Sequence, residues 1–223
     1  MTSKTSLLFI TFILSMAFIF SSCSSWNRTT TGAVIGTGAG AAAGSVIGKT
    51  LGNTAAGAIA GAAVGGTVGA IIGRQMDQRA EEIAKELDGV TIQRVEEGIA
   101  VSFDSGILFD FDSSILRPEA RQNLRKLAQI MSEDDETELM IVGHTDSVGN
   151  ENYNMRLSLR RAESAANYMI SQGLSERRVS VEGRGEYEPI ATNETDAGRQ
   201  ENRRVEVAIF ASPEHIERLE TDN

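Results

Sequence analysis

The sequence predicts an α+β domain preceded by a glycine-zipper helical hairpin. Three observations carry this. Short segments of alternating apolar residues near 90–95, 99–103, 138–142, 178–182 and 203–210 read as strands. Two longer segments, 118–131 and 152–171, have apolar residues at helical spacing and lie between those strands. Upstream, from 29 to 73, glycine recurs at every fourth residue. Opening on the hairpin, the order is β-α-β-α-β-β. That is a sandwich with helices packed on one face of a mixed four-stranded sheet.

The chain has 223 residues, room for one or two domains. Its C-terminal part, about 120 residues, suffices for one compact core. A formal net charge of −10 argues against a nucleic-acid partner, which favours a basic face. Cys23 is the single cysteine, so no intrachain disulfide can form. Lys4 is the only charge among the first 27 residues, and an apolar run from Leu7 to Phe20 follows it. Residues 1–22 therefore read as a secretory signal peptide. Phe20-Ser21-Ser22-Cys23 resembles a bacterial lipobox, with Phe20 where leucine is usual. The resemblance implies a lipidated Cys23 at the start of a short 23–28 segment. Ser24, by resemblance to lipoprotein sorting in enteric bacteria, implies the outer membrane, with the C-terminal domain in the periplasm. An inner-membrane lipoprotein is the alternative.

The repeat runs through Gly32, Gly36, Gly40, Gly44, Gly48 and Gly52, breaks at Asn53-Thr54, and resumes at Gly57, Gly61, Gly65, Gly69 and Gly73. In a helix this period lays glycine along one slowly drifting stripe. In water each glycine costs about 1 kcal/mol against alanine, so the helix is poor. In a bilayer helix is enforced and small residues let helices approach closely. Residues 29–48 and 54–73 carry no charge, and about 20 residues suffice to span. The expectation for 29–73 is a membrane-associated helical hairpin turning at Asn53-Thr54, compatible with a homo-oligomer; a Gly/Ala linker is the bland alternative. Ala43-Gly44-Ser45-Val46-Ile47-Gly48-Lys49-Thr50 fits a loose phosphate-loop pattern, but lacks the strand–loop–helix setting that chemistry needs.

Residues 74–89 read as a solvated helical linker, with Met76, Ala80, Ile83, Ala84 and Leu87 on one stripe. The domain is expected over 90–211. It opens with a hairpin around Glu96-Glu97-Gly98. Pro118 suits a helix start, and Leu116, Leu124, Leu127, Ile130 and Met131 mark a core face. Gly173 is placed to end the second helix. The polar tail 212–223 is expected to fray.

The candidate site lies at 143–162, where the apolar strand 139–142 opens into a polar loop and then a helix. Asp146 sits in the loop and Arg161 fifteen residues later on the helix. A fixed anion and a fixed cation near a strand end suit a ligand carrying both an amine and a carboxylate. On the helix, Met155, Leu159, Ala162, Ala166 and Met169 form the stripe expected to face the sheet, with Asn154, Ser158, Arg161 and Ala165 beside it. Arginine can hold a carboxylate bidentately, which lysine cannot. The alternative is structural: Asp146 and Arg161 pair with each other, or with Arg203 and Arg204, and merely tie loop to helix. His144 reads as a hydrogen-bonded loop residue. No His/Cys/carboxylate set has metal spacing, and no serine or cysteine has a visible base partner.

Asp146 and Asn154-x-x-Leu157-Ser158-x-x-Arg161-Ala162 resemble the signature of the OmpA-like C-terminal domain, the peptidoglycan-associated module. Phe109-Asp110-Phe111-Asp112 upstream and Gly198-Arg199-x-x-Asn202-Arg203-Arg204-Val205 downstream fit the same pattern in the same order. The resemblance covers residues 91–211. It implies that Asp146 and Arg161 hold the side-chain amine and carboxylate of diaminopimelate in the peptidoglycan stem peptide. Backbone amides around Asp112 and just after Asp146 would assist. Asn154, Leu157 and Ser158 would line or shape the pocket, with Thr145, Asn202 and Arg203 as supports. Ala165 and Met169 depart from the family's usual valine and leucine, both within the core.

The reading is a lipid-anchored, non-enzymatic envelope protein that binds peptidoglycan non-covalently and tethers membrane to wall, without a cofactor. Its membrane contacts would be Cys23 and the zipper. The alternative is a membrane-active zipper oligomer, a pore or scaffold, that the wall-binding domain only positions.

Overall fold

A computed structural model describes residues 53–110, 112–133 and 135–222. The signal peptide, Cys23, the first zipper segment and Phe111 lie outside the described residues.

Among the described residues two helices precede the sheet: α1, Thr54–Ala62, and α2, Gly66–Glu86. The expected single helix over 54–73 is therefore in two pieces. Gly65 (φ 70°) and Gly66 (φ 65°) take left-handed backbone that a continuous right-handed helix cannot contain and that glycine adopts without strain. Among the described residues no helix is long and apolar enough to cross a membrane. Asn53 caps α1, its side chain accepting from Ala56 N at 2.7 Å. The stretch 74–89 is not a solvated spacer. Val68, Ile72, Met76, Ile83 and Leu87 are buried in the main core, because an amphipathic stripe gains about 1.5–3 kcal/mol for each large apolar side chain it removes from water.

Next come β1 (Val90–Val95) and β2 (Gly98–Asp104), joined by a two-residue turn in which Glu96 has φ 46°. A short helix α3 (Ser105–Leu108) and α4 (Pro118–Met131) lead to β3 (Thr137–Gly143). Helix α5 (Glu151–Ser171) returns the chain to β4 (Val179–Gly183). Then follow α6 (Asp196–Asn202), β5 (Arg204–Ala211) and α7 (Pro213–Thr221). The sheet has five strands rather than four, in the order β1-β2-β5-β3-β4. Among the described residues only β3 and β4 pair in parallel, and α5 is their crossover. In register, Val101 faces Val207 and Val207 faces Ile141. Both arms of the opening hairpin count as strands because β2 finds a second partner in β5.

Alternation along the strands divides the apolar residues between two faces. Val101, Phe103, Leu139, Ile141, Val205 and Val207 join α4 and α5 in the main core. Met140, Val142, Ala208 and Phe210 form a second cluster under Ala55, Ala58 and Ile59 of α1. The sheet is thus covered on both faces, where the sequence suggested one. Gly98 makes room for α1: a Cβ there would lie 2.7 Å from Ile209 O and collide with Ile59.

On α5 the buried stripe is Leu157, Ser158, Arg161, Ala162, Ala165, Ala166 and Met169, and the expected core residue Leu159 is exposed. The helix backbone rests directly on two strand ends. A Cβ at Gly183 would lie 2.6 Å from Leu159 N, and one at Gly143 would run into Ser158 O. The C-terminal tail also differs from expectation. Ser212 caps α7 by accepting from His215 N at 3.2 Å, Pro213 occupies the first turn, and Ile216 is buried in the main core.

Candidate functional site

The site forms where β3 ends. His144 N donates to Arg204 O (2.9 Å) and Thr145 N to Gly185 O (2.8 Å), which carries the strand direction into the loop. Asp146 follows, 7% exposed. Its Oδ1 accepts from Val148 N at 3.0 Å, and its Oδ2 accepts from Arg203 Nη1 at 2.5 Å. Asn154 ties the loop to α5. Its Nδ2 donates to Asp146 O, Val148 O and the Glu186 carboxylate at 3.3, 3.2 and 2.7 Å. Asn150 caps α5 through Asn152 N and Tyr153 N.

Arg161 stands on the next turns of α5, 5% exposed. Its Nε donates to Ser113 O at 3.0 Å, and its guanidinium lies 5.3 Å from the centre of the Phe109 ring. Among the described residues no carboxylate stands within ion-pair distance of it. Burial lowers its pKa below the ordinary arginine value; Tyr153, Asp112 and Asp146 work against that shift and Arg203 adds to it. The Phe-Asp loop approaches from the other side. Asp112 holds a left-handed conformation (φ 56°) and accepts from the Tyr153 hydroxyl, which raises the pKa of that phenol. A pocket of about 330 Å³ opens beside the two arginines, lined by Ser105, Phe109, Asp110, Arg117, Arg161 and Arg203 among others. A larger polar pocket of about 630 Å³ lies at the opposite end of β3, around Glu138 and Arg178, away from this chemistry.

Of the expected site residues, the structure brings Asp146, Arg203, Arg161 and Asp112 to one corner. Leu157 is buried behind them. Ser158 is a fastener, its Oγ donating to Met155 O (2.9 Å) and accepting from Gly185 N (2.8 Å). Asn202 is fully buried and braces residues 190–193 through Ile190 N, Ala191 N, Ala191 O and Asn193 Oδ1. The Thr145 hydroxyl is buried, with no partner among the described residues. The structural alternative is realised for Asp146, which pairs with Arg203. It is not realised for Arg204, whose partner is Glu206 at 2.6 Å.

Sequence reasoning missed three features. Asp104 Oδ1 accepts from Gln200 Nε2 at 2.5 Å, and Gln200 Oε1 accepts from Arg203 Nη2, so a polar chain from β2 orients the arginine on Asp146. Glu186 holds Asn154 from a loop without periodicity. His144 is hydrogen-bonded in the loop through its backbone but not through its side chain: its ring is 1% exposed, and neither ring nitrogen has a hydrogen-bond partner among the described residues. Burial, Arg204 and Arg184 push its pKa well below the usual histidine range, so the ring is neutral. Its approaches of 4.0 and 3.9 Å to Glu188 and Glu206 are therefore not ion pairs.

The fold and this corner define a small α+β domain in which, among the described residues, the buried Arg161 guanidinium has no carboxylate partner and the Asp146 carboxylate is held in position. Residues 108–203 match the OmpA family, and residues 1–77 match the YMGG-like Gly-zipper family. Outer membrane protein A of Bordetella avium is 47% identical over 112 residues, covering 50% of this chain and 58% of that protein. The outer-membrane lipoprotein YfiB of Pseudomonas aeruginosa is 39% identical over 116 residues, covering 52% of this chain and 69% of that one. The cell wall anchor of the T6SS from Pseudomonas aeruginosa superposes with a TM-score of 0.53 at 27% identity, covering 61% of this chain and 97% of that one. The chain belongs to the OmpA family. It spans little more than half the length of the first relative. Both relatives are named as outer-membrane proteins, neither for a catalytic activity, which supports a place in the bacterial envelope.

Proposed function

We propose that this protein binds peptidoglycan non-covalently and tethers the outer membrane to the cell wall. The observation that carries the reading is Arg161. A guanidinium 5% exposed, without a carboxylate partner among the described residues, is a poor structural device, because burying a charge costs several kcal/mol unless it is paired. An incoming carboxylate would supply the missing partner. Asp146, held by Arg203 and Val148 N, offers its remaining lone pairs to an ammonium group. A ligand with both groups on one short side chain, such as diaminopimelate of the stem peptide, matches the pair. The likeness to the cell wall anchor of the T6SS supports attachment to the wall. Lipidation at Cys23 would fix the chain to the outer membrane with this domain in the periplasm. Homo-oligomers through residues 29–73 remain part of this proposal.

The test is sedimentation of the full chain with insoluble peptidoglycan, beside Asp146→Asn and Arg161→Met. The unmodified chain is expected in the pellet and both folded variants in the supernatant. Equal sedimentation of all three would refute the clamp. The Gly-zipper match over residues 1–77 favours a second reading, an oligomeric membrane scaffold positioned by the wall-binding domain. Detergent-stable oligomers lost on Gly40→Leu and Gly61→Leu would favour it.

A further inference from the structure

The outer face of the sheet carries a second, differently built site. Its occupant is α1, the part of the glycine zipper just after the Asn53-Thr54 break. This helix is intrinsically weak. Its sequence, TAAGAIAGA, has nine residues and two glycines, whereas isolated helices shorter than about 12–15 residues are marginal in water. Docking holds it. Ala55, Ala58 and Ile59 pack on Met140, Val142, Ala208 and Phe210, and Gly98 leaves the space Ile59 fills. At the helix N-terminus the Glu188 carboxylate, 5% exposed, takes two donors from one residue: Thr54 N at 3.0 Å and Thr54 Oγ1 at 2.5 Å. The first is an amide that the helix cannot satisfy itself, and a carboxylate there also meets the positive end of the helix dipole. Arg184 completes the grip, with Nε 2.6 Å from Thr54 Oγ1 and 3.4 Å from Glu188 Oε1.

The gripping segment, residues 184–188, also frames the ligand corner, and its residues divide between the two sites. Arg184 and Glu188 hold Thr54. Between them, Gly185 bonds Thr145 N and Ser158 Oγ, Glu186 accepts from Asn154, and the Tyr187 hydroxyl donates to Glu151 at 3.2 Å. One five-residue segment thus touches the zipper helix with its ends and the Asp146 loop with its middle.

We propose that the outer sheet face, with Glu188 and Arg184, is a releasable binding site for the chain's own glycine-zipper helix, and that its occupancy is coupled to the order of the Asp146 loop through residues 184–188. Release exposes Met140, Val142, Ala208 and Phe210 and frees the zipper for other helices. It also removes the side-chain contacts of Arg184 and Glu188 with Thr54, leaving the ends of the segment held by Arg204 Nη2 on Glu188 O (3.2 Å) and Arg184 N on Gly143 O (2.9 Å). The dock stands independently of what the corner binds; its bearing on wall attachment rests on the function proposed above.

The test is hydrogen–deuterium exchange on the full chain without ligand, for the unmodified protein, Ala58→Glu and Glu188→Gln. Ala58→Glu forces a charge against the apolar face and should strip protection from amides 54–62. Amides 144–150 and 184–188 should then exchange about tenfold faster, while α5 amides 162–169 keep their rates. Glu188→Gln should shift both regions in the same direction by less. Fast exchange at 54–62 in the unmodified chain would overturn the dock, and an unchanged rate there in Glu188→Gln would overturn the grip. Release of 54–62 without any change at 144–150 would overturn the coupling. If Ala58→Glu also loses protection at 162–169, Glu188→Gln decides alone. Sedimentation of the same proteins separates this from the ligand reading: an unmodified chain that ignores peptidoglycan refutes that reading and leaves the exchange result intact.

Discussion

Replacing Arg161 by methionine should remove wall binding and leave the fold nearly as stable as before. The alkyl stem is kept, and the guanidinium goes. Lost with it are the Nε bond to Ser113 O at 3.0 Å and the stacking over Phe109 at 5.3 Å. A hydrogen bond from a charged group contributes about 1.5–3 kcal/mol, and a cation over an aromatic ring about 0.5–2 kcal/mol. Gained is relief from burying a charge that no carboxylate among the described residues neutralises, itself worth several kcal/mol. The opposing effects are of similar size, so the net change should stay within about 1 kcal/mol, or about 2–4 °C in melting temperature. Binding should fall far more. Truncating one partner of a buried charged contact costs about 2–5 kcal/mol, roughly 30-fold to several-thousand-fold in Kd. Thermal melting and calorimetry with a soluble diaminopimelate-containing stem peptide measure the two quantities on the same samples. A structural tie would behave oppositely, with a loss of about 3–5 kcal/mol in stability and unchanged affinity. That result would refute the reasoning.

Three further outcomes follow from the structure. The buried His144 ring has a depressed pKa, so below about pH 6.5 the unfolded chain takes a proton that the folded chain refuses. Stability should therefore fall as pH drops from 7.5 to 5.5, by at most about 1.4 kcal/mol per pH unit, and His144→Leu should flatten that slope in melts across the range. Glu138, raised by burial, acts in the opposite sense, so the difference between the two proteins isolates the histidine. Gly143→Ala places a Cβ into Ser158 O, where α5 rests on β3. It should cost about 1–3 kcal/mol in urea unfolding and weaken stem-peptide binding through the displaced Ser158. Ile216→Ala, 3% exposed in α7, should cost about 2–5 kcal/mol, and an unchanged urea midpoint would return the C-terminal segment to a frayed tail.

The strands were legible because their alternation is local: 99–103 and 205–209 each show which side chains share a face. The end of α5 was legible for the same reason, through Gly173 (φ 111°), whereas the Asn150 cap at its start was not read from the sequence. The errors share a physical origin. Leu159 fits the apolar stripe by period, yet the glycines of β3 and β4 draw the helix backbone down and turn that side chain out. Ser212 and Pro213 form a helix-start signal, but the following segment is mostly polar, and only contacts with distant parts of the chain reveal Ile216 as core. The corner was half legible. Asp146 and Arg161 stand out by charge and position, whereas Gln200 and Asp104 act only through Arg203 and carry no pattern of their own.

Composition and periodicity by themselves determined the α+β class, the two principal helices, the glycine stripe, and an anion and a cation near the end of the third strand. Each depends on residues within a few turns of one another, where spacing alone fixes the face on which a side chain lies. Only the tertiary structure decided which charges neutralise one another. It joined Asp146 to Arg203 across 57 positions and left Arg161 against a carbonyl and a ring. It also decided where the second zipper segment goes. Thr54 meets Glu188 across 134 positions, and an apolar sheet face that alternation left open receives a helix too weak to stand alone. Contacts at such separations depend on how the whole chain closes on itself, and no local pattern encodes them.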